Sequence, residues 1–292
     1  MRTTTWIILI VGVIFIAAAI AFFIVISVGD LMPEGRGLAL GKKVGLVEIT
    51  GTIVESTDIV EQIRKFADDS SVRALVVRIE SPGGVVAAAQ EIYEELRAVR
   101  MSGKPVIASM GGIAASGGYY VACGADSIIA NPGTVTGSIG VIMSFPNTDE
   151  LMRKVGVKLE VVKTGEFKDI GSFARPMTER ERQLLQGLID DVYDQFVTVV
   201  SEERGIDRET VIGFADGRIF TGRQALEMNL VDRIGGYFDA VELAGELGGI
   251  SGTPTVVKPR KDLWTIWDIL EQLMGAASRV ARHGVSLEYS FR

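Results

Sequence analysis

Polar and apolar positions follow one rule in the first 28 residues and another in the rest. Trp6–Val28 is a run of 23 residues without a charge. At about 1.5 Å per residue a helix of that length reaches about 35 Å, enough to cross a bilayer. Small residues at Ala17–Ala21 offer a signal-cleavage alternative. The run continues through Phe22, Phe23, Ile24 and Val25, however, and a signal core is usually about 7 to 15 residues. The expectation is an uncleaved transmembrane signal anchor over 6–28 behind a stub of residues 1–5. A Gly-rich linker then covers 29–43; its Gly35–Lys43 stretch lacks the spacing of a phosphate loop and has Lys43 where Ser or Thr is needed.

From Val44 onward short β-branched runs alternate with amphipathic stretches, the pattern of an α/β domain, here assigned to 44–250. Strands are expected at Val44–Ile49, Ala74–Ile79, Pro105–Met110, Ser127–Ala130, Gly140–Ser144 and Leu159–Lys163. A helix is expected at Asp58–Ala67. Ser81-Pro82-Gly83-Gly84 reads as a sharp turn before a helix at Val85–Arg100, whose Val86, Ala89, Ile92, Tyr93, Leu96 and Val99 recur at helical spacing. A small-residue segment, Gly111–Gly118, leads into an apolar helix through Cys123. Thr178 and Glu181 form a capping box before Leu184, Leu185, Leu188, Ile189, Val192, Phe196 and Val200, so one long helix should run to about Glu203. Shorter helices are expected at Arg208–Phe214, Gly222–Met228 and Phe238–Leu247. The last segment, 251–292, holds an amphipathic helix at Asp262–Arg282 with Leu263, Ile266, Trp267, Leu270, Leu273, Met274 and Ala277 on one face, fit to dock on the body, on another subunit or on a membrane surface.

Composition narrows the chemistry. The 292 residues contain one histidine, His283, and one cysteine, Cys123. An internal disulfide is impossible, and no metal or cofactor is expected. Without residues 1–28 the body has 29 basic and 37 acidic side chains, a net charge of −8, which argues against nucleic acid as a partner.

Three glycine-rich turns carry the candidate chemistry: Ser81-Pro82-Gly83-Gly84, Ala114-Ala115-Ser116-Gly117-Gly118 and Thr136-Gly137-Ser138-Ile139-Gly140. The first two follow expected buried strands, where α/β sites are commonly built. Ser116 sits among small residues before a helix, as in a relaxed nucleophile elbow whose following amide, Gly117, points at an oxyanion. Close helix–strand packing explains the same small residues equally simply. A serine nucleophile needs a base, and His283 lies in a polar tail beyond the amphipathic helix. A lysine is the alternative. To act near neutral pH a lysine amine must fall from about 10.4 toward about 7 to 8, a cost on the order of 4 kcal/mol that apolar burial can impose. Lys168 fits best, flanked by Phe167, Ile170 and Phe173; its other reading is a solvated loop lysine paired with Glu166 or Asp169.

These turns, in this order, together with Gly165-Glu166-Phe167-Lys168-Asp169-Ile170-Gly171-Ser172, resemble the short form of signal peptide peptidase A, a family of membrane-anchored Ser-Lys peptidases. The resemblance covers about Val44–Leu247 plus the anchor. It implies a Clp protease/crotonase-like fold of repeated β-β-α units. It also implies Ser116 as nucleophile and Lys168 as general base, with Ser138 orienting the lysine amine, and Gly83, Gly84 and Gly117 forming the oxyanion hole. One departure is Glu80, where the family often has Asn or Asp before Ser-Pro-Gly-Gly.

The resemblance further implies acyl transfer on hydrophobic remnant signal peptides. It implies a homo-oligomer in which the serine of one subunit meets the lysine of the next. Residues 6–28 would contact membrane lipid, in a single-pass cell-membrane protein with its N-terminus cytoplasmic and its peptidase domain outside. The charges of Arg2, Arg36, Lys42 and Lys43 do not decide that orientation, which rests on the short stub. A catalytically silent scaffold of the same fold and a crotonase-like acyl-CoA enzyme are the competing readings.

Overall fold

The computed structural model describes residues 41–259 and the backbone of 288–290. The expected anchor at 6–28, the linker up to residue 40, the amphipathic helix at 262–282 and His283 lie outside the described residues. Among the described residues no helix is long and apolar enough to cross a membrane.

Ten strands and eight α-helices follow in the order β1 (Lys43–Thr50), α1 (Thr57–Asp68), β2 (Val72–Ser81), β3 (Gly83–Val85), α2 (Val86–Met101), β4 (Val106–Ala115), α3 (Gly117–Ala122), β5 (Ser127–Ala130), β6 (Val135–Gly137), α4 (Asp149–Lys154), α5 (Glu179–Arg204), α6 (Arg208–Ile212), β7 (Ile219–Thr221), α7 (Gly222–Glu227), β8 (Arg233–Ile234), α8 (Tyr237–Leu247), β9 (Thr255–Val257) and β10 (Glu288–Ser290) among the described residues. The main sheet runs β7-β6-β4-β2-β1-β9, with β5 and β8 extending from β4. Only β7 runs antiparallel to its neighbour. Parallel strands buried on both faces read as near-continuous apolar runs, which is why Val44–Ile49 and Ala74–Ile79 were legible without strict alternation.

The pleat distributes those runs between two cores. Val44, Leu46, Ala74, Val76, Ile107 and Ile129 face Ala240, Val241, Leu243 and Ala244 of α8. Val47, Ile49, Leu75, Val77, Ile79 and Ala108 face the other way, into a larger core with Ile63, Phe66, Ile92, Leu96, Tyr119 and Phe196. Tyr120 stands edge-on to both Tyr93 and Phe196, at centroid distances of 5.2 and 5.0 Å, which ties α2, α3 and α5 together. The capping box holds as the sequence pattern requires: the Thr178 hydroxyl accepts from the Glu181 amide and the Glu181 carboxylate accepts from the Thr178 amide, starting a helix of 26 residues.

Three expected elements differ. Gly83-Gly84 belongs to a short strand, because Pro82 carries the chain past the end of β2 and Ile53 supplies a pairing partner. The strand after β5 is Val135–Gly137 and not Gly140–Ser144; the former continues the edge of β4, while the latter has moved beyond it. Leu159–Lys163 alternates like a strand but has no ladder in the single chain, and Leu159, Val161 and Val162 are exposed.

Candidate active site

The site is built where β2, β3, β4 and β6 end together. β4 changes neighbours along its length: Ile107–Ser109 pair with β5, and Ile113–Ala115 with β6. Between these halves β4 leaves the register of β2, for Ile79 pairs with Met110 but Ser81 with Ala114. The freed backbone groups are taken by side chains. Glu80 accepts from the Gly112 amide at 2.8 Å and the Ile113 amide at 3.1 Å, while Thr134 and Thr136 donate to the Gly111 and Ala114 carbonyls, each at 2.7 Å. A Cβ on Gly111 would lie 1.6 Å from a Glu80 carboxylate oxygen, so a side chain there would push that carboxylate away. Glu80, the departure from the family pattern, thus braces the strand that delivers Ser116.

Ser116 occupies the joint between β4 and α3 with φ 54° and ψ −118°, a sparsely populated conformation that costs a non-glycine residue about 1–3 kcal/mol. It persists because both of its backbone groups are held: its amide donates to the Gly137 carbonyl at 2.8 Å, and its carbonyl accepts from the Tyr120 amide at 2.9 Å. Gly118 lets α3 close against β2, since a Cβ there would stand 2.9 Å from the Ser81 carbonyl oxygen.

Ser138 is placed beside Ser116 by the same register. Ala115 pairs with Gly137, so the two serines follow paired residues on strands about 4.8 Å apart. Ser138 also has positive φ, 51°, and its amide donates to the Arg218 carbonyl at 2.8 Å. Both serines are buried.

The two glycines of the first turn are not equivalent. The Gly83 amide donates to Ser81 Oγ at 3.1 Å, and the Gly83 carbonyl accepts from the Ile53 amide. The Val85 amide in turn donates to the Ile53 carbonyl. Strand alternation therefore turns the Gly84 amide and carbonyl to the opposite edge. On that edge lies β10, antiparallel, with Tyr289 opposite Gly84 and Ser290 opposite Gly83. Helix α3 packs against both strands. The edge beside the Ser116 elbow thus accepts an extended chain.

Lys168 sits at the surface of the single chain. It belongs to a 3₁₀ turn, Glu166–Asp169, is exposed, and makes no hydrogen bond to Ser116 or Ser138. Phe167 and Ile170 are only half-buried and Phe173 is exposed, so the expected apolar burial of the amine is not supplied within one protomer. Lys168 is solvated, as the loop reading has it, but is paired with neither Glu166 nor Asp169. Glu166 pairs with Arg180 at 2.7 Å, and Asp169 with Lys163 at 2.6 Å and Arg175 at 2.8 Å. Arg175 has no signal of its own in the sequence; the Lys168 motif, with Asp169, and the capping box at Glu181 lie on either side of it.

Two clefts flank Gln186 and Ile189 of α5. One, of about 410 Å³, mixes apolar Phe145, Met177 and Leu185 with polar Asn147, Arg175 and Arg182 in its lining. The second, of about 530 Å³, reaches Ser138, Val141 and Ile142. Cys123, the lone thiol, is buried, and burial pushes it up to about 12, which removes it from nucleophilic chemistry at neutral pH.

A parallel-sheet domain whose strand ends present a strained serine beside a glycine edge is consistent with a Clp protease-like fold, and the Clp protease profile matches residues 45–134. The profile of peptidase family S49 matches residues 98–251, and the chain belongs to that family. It is 49% identical over 210 residues to a Synechocystis sp. protein named as a protease, covering 72% of this chain and 76% of that one. It is 36% identical over 214 residues to Protease 4 of Haemophilus influenzae, covering 70% of this chain but 35% of the longer relative. A third relative, from Enterococcus faecium and named as a signal peptide peptidase, is 35% identical over 226 residues, covering 73% of this chain and 65% of that protein.

Proposed function

We propose that this S49 peptidase is a membrane-anchored serine endopeptidase that cleaves hydrophobic peptides, including remnant signal peptides, with Ser116 as nucleophile and Lys168 of a neighbouring subunit as general base. The observation that carries the reading is the edge of β3. An extended chain lies antiparallel along Gly83–Val85, beside a buried serine held in an elbow. Pairing of this kind binds a peptide by its backbone and leaves alternate side chains to be read by pockets. Val141, Ile142 and Ile189 in the 530 Å³ cleft that reaches Ser138 support a preference for apolar segments.

In this reading the Lys168 amine takes the Ser116 proton and the hydroxyl attacks the scissile carbonyl. The amides of Gly84 and Gly117 receive the oxyanion. Gly83, whose amide is held by Ser81 Oγ, fixes the strand and leaves the donation to Gly84. The amine then protonates the leaving group, and water releases the acyl chain with the same lysine as base. Ser138 orients the incoming amine. Assembly supplies what one protomer lacks: Lys168 is exposed and unpartnered, and the adjoining 157–162 stretch exposes Val157, Leu159, Val161 and Val162, a surface suited to burial between subunits. The 6–28 run would hold the body at the bilayer where its substrates lie.

Labelling the detergent-solubilised protein with a fluorophosphonate and assaying a fluorogenic hydrophobic peptide tests this directly. Labelling should vanish in Ser116→Ala, and cleavage should vanish in both Ser116→Ala and Lys168→Ala. Equal cleavage by all three proteins would overturn the dyad.

A further inference from the structure

The turn that carries Lys168 has little of its own to hold it. It is one 3₁₀ turn of four residues, preceded by a stretch without regular structure and followed by Gly171. Two arginines tie it to α5: the exposed Arg180 pairs with Glu166 at 2.7 Å and lies over the Phe167 ring, and Arg175 makes the denser bridge. The Arg175 guanidinium donates through Nε and Nη2 to the two carboxylate oxygens of Asp169, at 3.0 and 2.8 Å, and through Nη2 to the Asp169 carbonyl at 3.3 Å. The same guanidinium donates to both carboxylate oxygens of Glu181, one of them through Nη1 at 2.9 Å, and to the Pro176 carbonyl. Glu181 is 1% exposed and completes the cap of α5, which is anchored in the core through Phe196, Val197 and Val200. A planar fork that binds two carboxylates bidentately suits this bridge; a lysine, as a point charge, could not reproduce it.

The bridge also decides what Lys168 does not touch. The charged groups around the turn are Lys163, Glu166, Asp169, Arg175, Arg180 and Glu181. Each carboxylate among them is already matched: Glu166 by Arg180, Asp169 by Lys163 and Arg175, Glu181 by Arg175. Asp169 is accordingly held well below the usual carboxylate range by the Arg175 and Lys163 hydrogen bonds, and Glu181 is lowered to about 2 by Arg175. An amine that must give up its proton is helped by the absence of a nearby unpaired carboxylate, since an opposite charge within about 4–6 Å stabilises the protonated form by about 1–3 pKa units.

We propose that Arg175 is a positioning residue for Lys168: it fastens the lysine-bearing turn to α5 and occupies the Asp169 carboxylate, keeping the neighbouring amine free to act as a base. The inference rests on the dyad reading. Its prediction is specific to a pH profile. In Arg175→Gln the Asp169 carboxylate keeps Lys163 on Oδ1 but loses both Arg175 contacts, and its freed Oδ2 turns to Lys168, so the acidic limb of kcat/KM should move up by about one pH unit, a loss of about tenfold near neutrality that is recovered at high pH. Adding Asp169→Asn to Arg175→Gln removes the released carboxylate and should return the limb to its wild-type position, whatever the remaining level of activity.

The experiment measures these profiles with the full-length detergent-solubilised protein, alongside Lys168→Ala and fluorophosphonate labelling of Ser116. If Arg175→Gln does not fold, Arg175→Lys should show a smaller shift in the same direction, because its single ammonium cannot hold both carboxylates. A lower but unshifted profile in Arg175→Gln, or in Arg175→Lys where that variant stands in, would overturn the proposal and leave the dyad intact. A Lys168→Ala protein as active as wild type would overturn both.

Discussion

Replacing Gly84 by alanine probes the strand edge that the proposed chemistry depends on. A Cβ at Gly84 would stand 2.0 Å from the Ile53 carbonyl oxygen and 2.7 Å from that residue's nitrogen and carbonyl carbon, and the backbone φ is +158°. All three atoms are main chain, so no side-chain rotation relieves the contact. Reaching an ordinary C···O separation of about 3.3 Å requires β3 to retreat from Ile53 by about 1.3 Å. That displacement breaks the Ile53–Gly83 and Val85–Ile53 hydrogen bonds, now 2.8 and 2.7 Å. Two such bonds contribute about 1 kcal/mol each, and residual overpacking adds about 1–3 kcal/mol, giving a loss of about 3–5 kcal/mol. For a body of this size the melting temperature should fall by about 10 °C. Measured well below melting, kcat for a hydrophobic peptide should fall by about 10²–10³, the usual cost of a lost oxyanion donor. Gly133→Ala is the control, because nothing lies within 4 Å of its Cβ position. A Gly84→Ala protein that melts within about 2 °C of wild type would refute the packing argument. One that melts early yet cleaves at the wild-type rate would refute the oxyanion assignment.

Further expectations follow from the same contacts. Co-assembling Ser116→Ala with Lys168→Ala subunits should restore activity to about a quarter of wild type, because in a cyclic oligomer that fraction of junctions pairs an intact serine with an intact lysine; no recovery in mixed oligomers would place both groups in one subunit. The Glu181 carboxyl is lowered from its ordinary 4.5 to about 2, chiefly by the Arg175 hydrogen bonds, so its contribution to stability is complete above about pH 4.5 and lost as the pH falls toward 2. Thermal melts between pH 6 and 2.5 should show that loss, and Glu181→Gln should start lower and vary less over the window. Phe196→Ala, at a side chain with no exposure that meets Tyr120 edge-on, should cost about 3–5 kcal/mol in denaturant titration. The Cys123 thiol should resist iodoacetamide in the native state and react only on unfolding; rapid native labelling would contradict its burial.

Much of this molecule is legible from local sequence because it obeys local rules. The β1 and β2 runs, the apolar spacing of Val86–Val99 and the Thr178–Glu181 cap specify elements through burial and hydrogen bonding within a few residues. The small residues around Ser116 likewise announce a tight strand-to-helix joint. What the sequence alone determined was therefore the α/β architecture, a tight small-residue joint at Ser116 and the absence of histidine from the described body, whereas burial withdrew the Cys123 thiol. Tertiary structure decided the rest, since it depends on partners distant in the chain. Gly83-Gly84 is a strand because Ile53 pairs with it, and Ser138 stands beside Ser116 because Gly137 is in register with Ala115. Glu80 becomes a brace because β4 slips out of register with β2. The turn bearing Lys168 is fixed by an Arg175 bridge that no periodicity encodes, for a salt bridge depends on where side chains meet in space. The lone histidine and thiol could be counted in the sequence; the unpaired amine of Lys168 became visible only when every nearby carboxylate was found on another cation.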